Sequence, residues 1–220
     1  MYSRDYLMRM ISQMTQMMGQ LMGLKEQKKN DEALALIDEF LNKELRMRTK
    51  LALGLSDEDL LQMLSVGGLP NMESVAMIAI FLQEEGEILE EQGRLHDTLP
   101  RYEKALRLIL YVLRMNGPIS GFDLENRAAK LIDRTEPYER MAETKRSLWQ
   151  WYESGKKLAD AEDLLYELYD TGGASFEEGI AFYERLDLLD DSELEAGGLS
   201  RAELREGMAQ WRLLAGESVS

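Results

Sequence analysis

Between Phe81 and Leu113 the sequence FLQEEGEILEEQGRLHDTLPRYEKALRLILYVL sets small residues against large ones at helical spacing. Gly86 and Ala105 fall where two helix faces would touch closely, and Leu82, Leu89 and Tyr102 are placed to fill the seam between them. The five residues Gly93-Arg94-Leu95-His96-Asp97 read as the turn that joins the two helices. A hairpin of this kind cannot bury its apolar flank alone, so it must be covered by neighbouring elements. That requirement constrains the fold more than anything else in the chain.

The neighbours are predicted on both sides. Tyr2 to Leu24 carries Leu7, Met10, Met14, Met17 and Leu21 along one helical stripe, which Met8, Ile11, Met18 and Met22 widen. Methionine is flexible and polarizable, so this face suits packing within the chain or self-association. Asn30 or Asp31 caps a second helix running to about Lys50, with Leu34, Ile37, Leu41 and Leu45 on one face and Ala33 at a small position. Ser56-Asp57-Glu58-Asp59 starts a short helix that Gly67-Gly68 stops, and Pro70-Asn71 opens the long helix into the central hairpin. Asn116-Gly117-Pro118 forbids continuation. A short helix from about Gly121 to Asp133 follows, then a helix capped by Thr135 that carries Leu148, Trp151 and Tyr152 to Gly155. Its partner runs from Leu158 to Tyr169, with Ala161 and Leu165 repeating the central layout after a slip of one residue. Gly172-Gly173 ends it, Ser175 caps a helix to about Leu189, Asp190 to Gly198 reads as an acidic turn, and Ser200-x-x-Glu203 caps a last helix. No strand-like alternation is evident, and about ten helices with short connections are expected.

The order Leu82-x2-Glu85-Gly86-x2-Leu89, Gly93, Thr98-x3-Tyr102-x2-Ala105 resembles the tetratricopeptide repeat. It departs from that pattern at Leu82, Glu85, Thr98 and Leu110. The resemblance implies an all-α fold, an α-α superhelix of helix hairpins. It also implies one domain over 1–220, with a Met-rich hairpin over 1–50, central repeat-like hairpins over 71–170 and acidic helices over 171–220. In such repeats the first helix of a hairpin lines a concave groove, whose contact positions fall here on Ile80, Gln83, Glu87, Glu90 and Glu91. DYLMRMI at Asp5–Ile11, WQWYESGKKLADAEDLLYEL, GIAFYERLDLLDD and LEAGGLSRAELREGM resemble a second, uncharacterised family of helical proteins from Gram-positive bacteria, which implies a cytoplasmic protein and transfers no catalytic residue.

Composition narrows the function classes. The formal net charge is −15, distributed as nine Lys/Arg against seven Asp/Glu in residues 1–50 and seventeen against thirty-four thereafter. That balance repels phosphate backbones, so no nucleic-acid partner is expected. The longest uninterrupted apolar run, Val75 to Leu82, is too short to cross a bilayer, and no membrane partner is expected. Without cysteine there is no disulfide, thiol catalysis or thiolate-bound metal.

The chemistry-bearing residues are few. His96 is the only histidine, so a triad or histidine metal cage has one possible member, and a solvated turn residue is the plainer reading. Asp187, Asp190, Asp191, Glu193 and Glu195 do not match an EF-hand loop in any register. The Gly-Gly pairs are helix stops rather than phosphate loops. Glu84, Glu87 and Glu91 share one helical face with Glu90 beside them, and a groove lined by them favours a basic or amine-bearing ligand. Trp149 is expected to turn away from a core face made by Leu148, Trp151 and Tyr152. The reading is therefore a non-enzymatic module without cofactor or metal that binds a protein or peptide. The alternative is a homodimer formed through the Met-rich first helix.

Overall fold

A computed structural model gives the backbone of residues 2–217 and the side chains of residues 8–214; Leu7 of the methionine stripe lies outside the described side chains. The fold is all-α, with twelve helices among the described residues rather than about ten. The chain divides into two compact units, Met1–Glu139 and Arg140–Ser220. That boundary lies inside the stretch read from sequence as central hairpins.

In the first unit α1 (Tyr2–Glu26) packs on α2 (Asn30–Leu45). Met10, Met14, Met17 and Leu21 are buried, together with Ala33, Ile37 and Leu41 of α2, so the centre of the methionine stripe is consumed within the unit while Met8 and Met22 at its margin stay exposed. α2 stops at Leu45, earlier than expected. Arg46 turns the backbone left-handed (φ 52°), and α3 (Thr49–Gly54) follows as a separate element. α4 (Asp57–Met63) begins at Ser56, whose side chain accepts the Asp59 N–H. Gly67 and Gly68, both at positive φ, then close a minimal hairpin of β1 (Ser65–Val66) and β2 (Leu69–Pro70), not merely a helix stop.

Asn71 caps α5 (Met72–Glu91) by accepting from Ser74 N–H at 2.8 Å. The first half of α5, SVAMIAIFL, is apolar on every side and is buried on every side, as a helix without a polar face must be. It pairs with α6 (Leu95–Met115), and α7 (Leu124–Thr135) covers that pair. Gly86 explains how closely α5 and α6 approach: a Cβ there would stand 2.6 Å from the Tyr102 ring. Leu82, Leu89, Tyr102 and Ala105 are buried in that seam as the spacing predicts.

The second unit holds α8 (Ala142–Ser154), α9 (Leu158–Asp170), α10 (Phe176–Asp187), α11 (Asp191–Ala196) and α12 (Arg201–Glu217). Thr135 closes α7 rather than capping α8, which starts seven residues later. The supposed acidic turn is helix α11, started by a capping box between Asp190 and Glu193. The Gly197 carbonyl accepts from Leu158 N–H (2.8 Å) and Ala159 N–H (3.1 Å), supplying the N-terminus of α9 with the cap that Lys157 does not provide. The core of this unit gathers around the fully buried Trp211, with Tyr169, Tyr166, Tyr183 and Phe176 rings at 4.8 to 6.5 Å. A side chain on Gly179 would collide with that indole.

One backbone turn recurs. It joins α1 to α2 at Lys28 (φ 55°), α5 to α6 at Gly93 (φ 72°) and α8 to α9 at Lys156 (φ 55°). In each, the left-handed residue donates three residues back, to Lys25, Glu90 or Glu153. The next residue donates five back, to Leu24, Leu89 or Tyr152, which is the Schellman arrangement. Five residues after each left-handed position stands a fully buried small residue, Ala33, Thr98 or Ala161. Four further on stands a buried large one, Ile37, Tyr102 or Leu165. The equivalent of Gly93 is therefore Lys156, not Gly155, and this accounts for the slip of one residue in the sequence comparison.

Candidate functional site

The polar half of α5 is where sequence places the binding residues. Ile80 and Gln83 are 2 % and 1 % exposed, so neither presents a surface to a partner. Glu87 is half-buried, and Glu90 and Glu91 are exposed. The face expected to be an open groove is covered by the C-terminal end of α1 and by α7.

The reason is electrostatic. Helix α5 carries Gln83, Glu84 and Glu85 into the interior, and buried carboxylates must be met by cations and donors. Lys25 of α1 donates to Glu84 at 3.2 Å and to Glu87 at 3.1 Å. Arg127 of α7 donates to Glu84 at 3.1 Å and to the Gln83 carbonyl at 3.0 Å, while the Gln83 amide donates to Glu87 at 3.2 Å. Lys130 adds a 2.6 Å contact to Glu87. On the other flank Arg101 donates to Glu85 at 2.6 Å, and the Thr49 hydroxyl lies 3.1 Å from Glu85 and 2.9 Å from Asp38. Farther along, the Tyr102 hydroxyl donates to Glu90 at 2.9 Å and accepts from Arg134, which also pairs with Glu90.

Protonation follows from these contacts. Burial pushes the Glu87 carboxyl up, but hydrogen bonding from Lys130 and the charge of Lys25 outweigh it and hold the pKa below the ordinary glutamate value. Burial pulls the Lys25 ammonium down, and the charges of Glu84 and Glu87 overcome that and leave it raised. Burial, reinforced by Glu87, Glu84 and Glu91, raises the Tyr102 phenol. Such a network keeps its charges fixed and suits cohesion more than proton transfer. The basic ligand expected at this face is supplied from within, by Lys25, Arg127, Lys130 and Arg134.

The second unit holds a polar cluster that sequence reasoning missed. The Tyr183 hydroxyl donates to Glu162 at 2.5 Å and lies 3.4 Å from the Tyr166 hydroxyl. Glu162, Tyr166, Glu203, Glu206, Gly207 and Gln210 line a shallow cleft of about 170 Å³. Burial raises the Glu162 carboxyl, with Asp163 and Glu203 adding to it against the Tyr183 hydrogen bond, so it takes a proton more readily than a free glutamate. Its members come from α9, α10 and α12, and no spacing within one helix brings them together.

The remaining residues singled out from sequence find ordinary places. His96 is exposed at the start of α6. Asp187 and Asp191 are bound by Arg201 at 3.1 and 2.8 Å, Asp190 caps α11, and Glu193 pairs with Lys156. Trp149 is the core tryptophan of α8, 4 % exposed against Phe182, and Trp151 is the half-exposed one, the reverse of the expectation. The buried face of α8 is Thr144, Lys145, Leu148 and Trp149, a pattern that extends from Leu148 toward the N-terminus instead of the C-terminus. No helix among the described residues is long and apolar enough to cross a membrane.

A sequence profile of one protein family matches residues 1–216, nearly the whole chain. The chain belongs to the family of unknown function DUF6483. No curated protein and no solved structure matches it. Membership in DUF6483 therefore brings no catalytic or binding residue from elsewhere, and the functional reading of this DUF6483 chain rests on its own geometry.

Proposed function

We propose that the chain is a non-enzymatic binding module built on tetratricopeptide-like hairpins, which captures a protein or peptide partner. The observation that carries this reading is the recurring turn at Lys28, Gly93 and Lys156, each followed by a small and then a large buried residue at the same offsets. Repetition of one hairpin design is how stacked helical scaffolds present extended surfaces. The engagement of the α5 carboxylates by internal cations supports a structural role for that charge. The test is affinity capture from lysate with the full chain as bait, alongside a broad hydrolase and transferase activity screen. A specific, saturable partner supports the reading; turnover without a partner overturns it.

Self-association through α1 is the second reading, favoured by Met8 and Met22, which are 61 % and 58 % exposed. It is the weaker one, because Met10, Met14, Met17 and Leu21 are already buried within the first unit. Light scattering on the full chain and on a Met8→Ser/Met22→Ser variant separates the two. A dimer that the variant abolishes would favour self-association, and a monomer in both removes it.

A further inference from the structure

Where α2 passes into α3, the chain exposes three cations that no acid neutralises among the described residues. Arg46, Arg48 and Lys50 are exposed, and none of their side chains makes an ion pair or hydrogen bond among the described residues. In a protein with 41 Asp and Glu against 26 Lys and Arg, surplus acid should leave few cations unmatched. Elsewhere Lys25, Arg101, Lys104, Arg107, Arg127 and Lys130 sit on carboxylates, whereas Arg9, Lys28, Arg205 and Arg212 also lack an ion pair among the described residues but stand one at a time rather than three within five residues.

The local backbone makes this a formed site. Arg46 holds a left-handed conformation that residues other than glycine adopt uncommonly. From there the segment alternates, with Met47 and Thr49 buried and Arg46, Arg48 and Lys50 facing out. Thr49 anchors it from behind: its N–H donates to Asp38 at 3.0 Å and its hydroxyl reaches the buried Glu85, itself fixed by Arg101. The backbone that carries the three cations is thereby fixed before any ligand arrives, and only their exposed side chains remain to be ordered by it. With Asn42 and the exposed Leu51 they line a shallow, wide-open depression in the surface. Leu51 and the aliphatic stems of the basic residues give it apolar walls, with the charges available at its rim.

We infer that this depression binds an acidic peptide segment of a partner protein, one that places a large apolar side chain among its carboxylates. A small inorganic anion would satisfy the charges and leave Leu51 and the aliphatic stems uncovered. A nucleic acid carries its charge far beyond the reach of three cations and would run on into the chain's surplus of acid, which a short peptide segment need not do. An acidic, leucine-bearing peptide matches both the rim and the walls. The inference deepens the binding-module reading and rests on it.

The experiment uses the full-length chain and fluorescein-labelled peptides of sequence EELEELE and EEGEEGE, read by fluorescence anisotropy. EELEELE is expected to bind, at least about tenfold more tightly than EEGEEGE, and to weaken at about 0.5 M salt. An Arg46→Ala/Arg48→Glu/Lys50→Ala variant is expected to lose at least about tenfold in affinity, and Leu51→Ser to lose preference for the leucine peptide. All four side chains are exposed, and circular dichroism verifies that the variants stay folded. Absence of binding to millimolar peptide overturns the inference, as does equal binding of both peptides or an unaffected triple variant. Displacement of peptide by lower concentrations of tripolyphosphate assigns the site to a small anion instead, and a dimer that the triple variant dissolves assigns it to a second copy. If lysate partners captured by the wild type are equally captured by the triple variant, the site assignment fails while the binding-module reading stands.

Discussion

The two units treat the acids that reach their cores differently, although both pair surface acids with cations. In the first, the carboxylates of α5 are carried inside and matched one by one, Glu84 by Lys25 and Arg127, Glu85 by Arg101, Glu87 by Lys25 and Lys130. In the second, cohesion comes from rings around Trp211, and Glu162 at the edge of that cluster meets phenols and other acids instead of a cation. Burial acts on both carboxylates in the same direction. The partner decides whether the folded protein prefers the charged or the neutral form, which is why Glu87 is lowered and Glu162 raised.

This contrast can be broken by experiment, because all three tryptophans lie in the second unit and indole emission follows that unit alone. The largest effect is expected from Trp211→Ala, which empties the aromatic centre and should cost about 3–5 kcal/mol. Its thermal transition by emission of Trp149 and Trp151 should fall steeply while amide exchange in α5 is unchanged. Equal weakening of both would sink the comparison. Next comes Glu84→Ala, which strips Lys25 and Arg127 of a shared acceptor and is expected to cost about 2–3 kcal/mol. Here the order reverses: α5 amides should exchange faster with little movement of the emission midpoint.

The smallest effect concerns pH. Glu87, lowered in the fold, contributes stability that is present above the unfolded value and is lost as pH falls through the folded one. Glu162, raised in the fold, contributes the opposite sign: its charge destabilises the unit at neutral pH, and that penalty is relieved as pH falls through the raised value toward the ordinary one. Other acids of the same unit, such as Glu178 beside Arg146, pull the other way. The sign is therefore read from wild type minus Glu162→Gln, whose emission midpoints should draw together on acidification. A constant difference across that window would remove Glu162 from the comparison.

Local rules carried much of the fold. The Gly86, Leu89, Tyr102 and Ala105 spacing located the central seam, and Ser56, Asn71, Ser175 and Ser200 marked helix starts where side-chain oxygens accept N–H groups. Misreadings arose where a residue did something its type rarely does. Lys28 and Lys156 take the left-handed turn that Gly93 takes, so two of the three equivalent corners lack a glycine at the turning position, and Gly155 beside Lys156 suggests a register one residue off. In α8, Leu148 is compatible with buried neighbours on either side, and the later start at Ala142 selects Thr144, Lys145 and Trp149. The candidate site was legible in its residue types but not in its exposure. Nothing local in Glu87 announces that Lys25 and Lys130, far away in sequence, will cover it.

Lys25 has a consequence for how the molecule assembles. Its two acceptors lie 59 and 62 residues downstream, so a growing chain makes α1 well before the carboxylates that will hold it exist. The α5–α6 corner closes between near neighbours, whereas the first helix waits for a long loop to shut. Until the α5 carboxylates arrive, α1 has only α2 to pack against, and its methionines rely on that helix for cover.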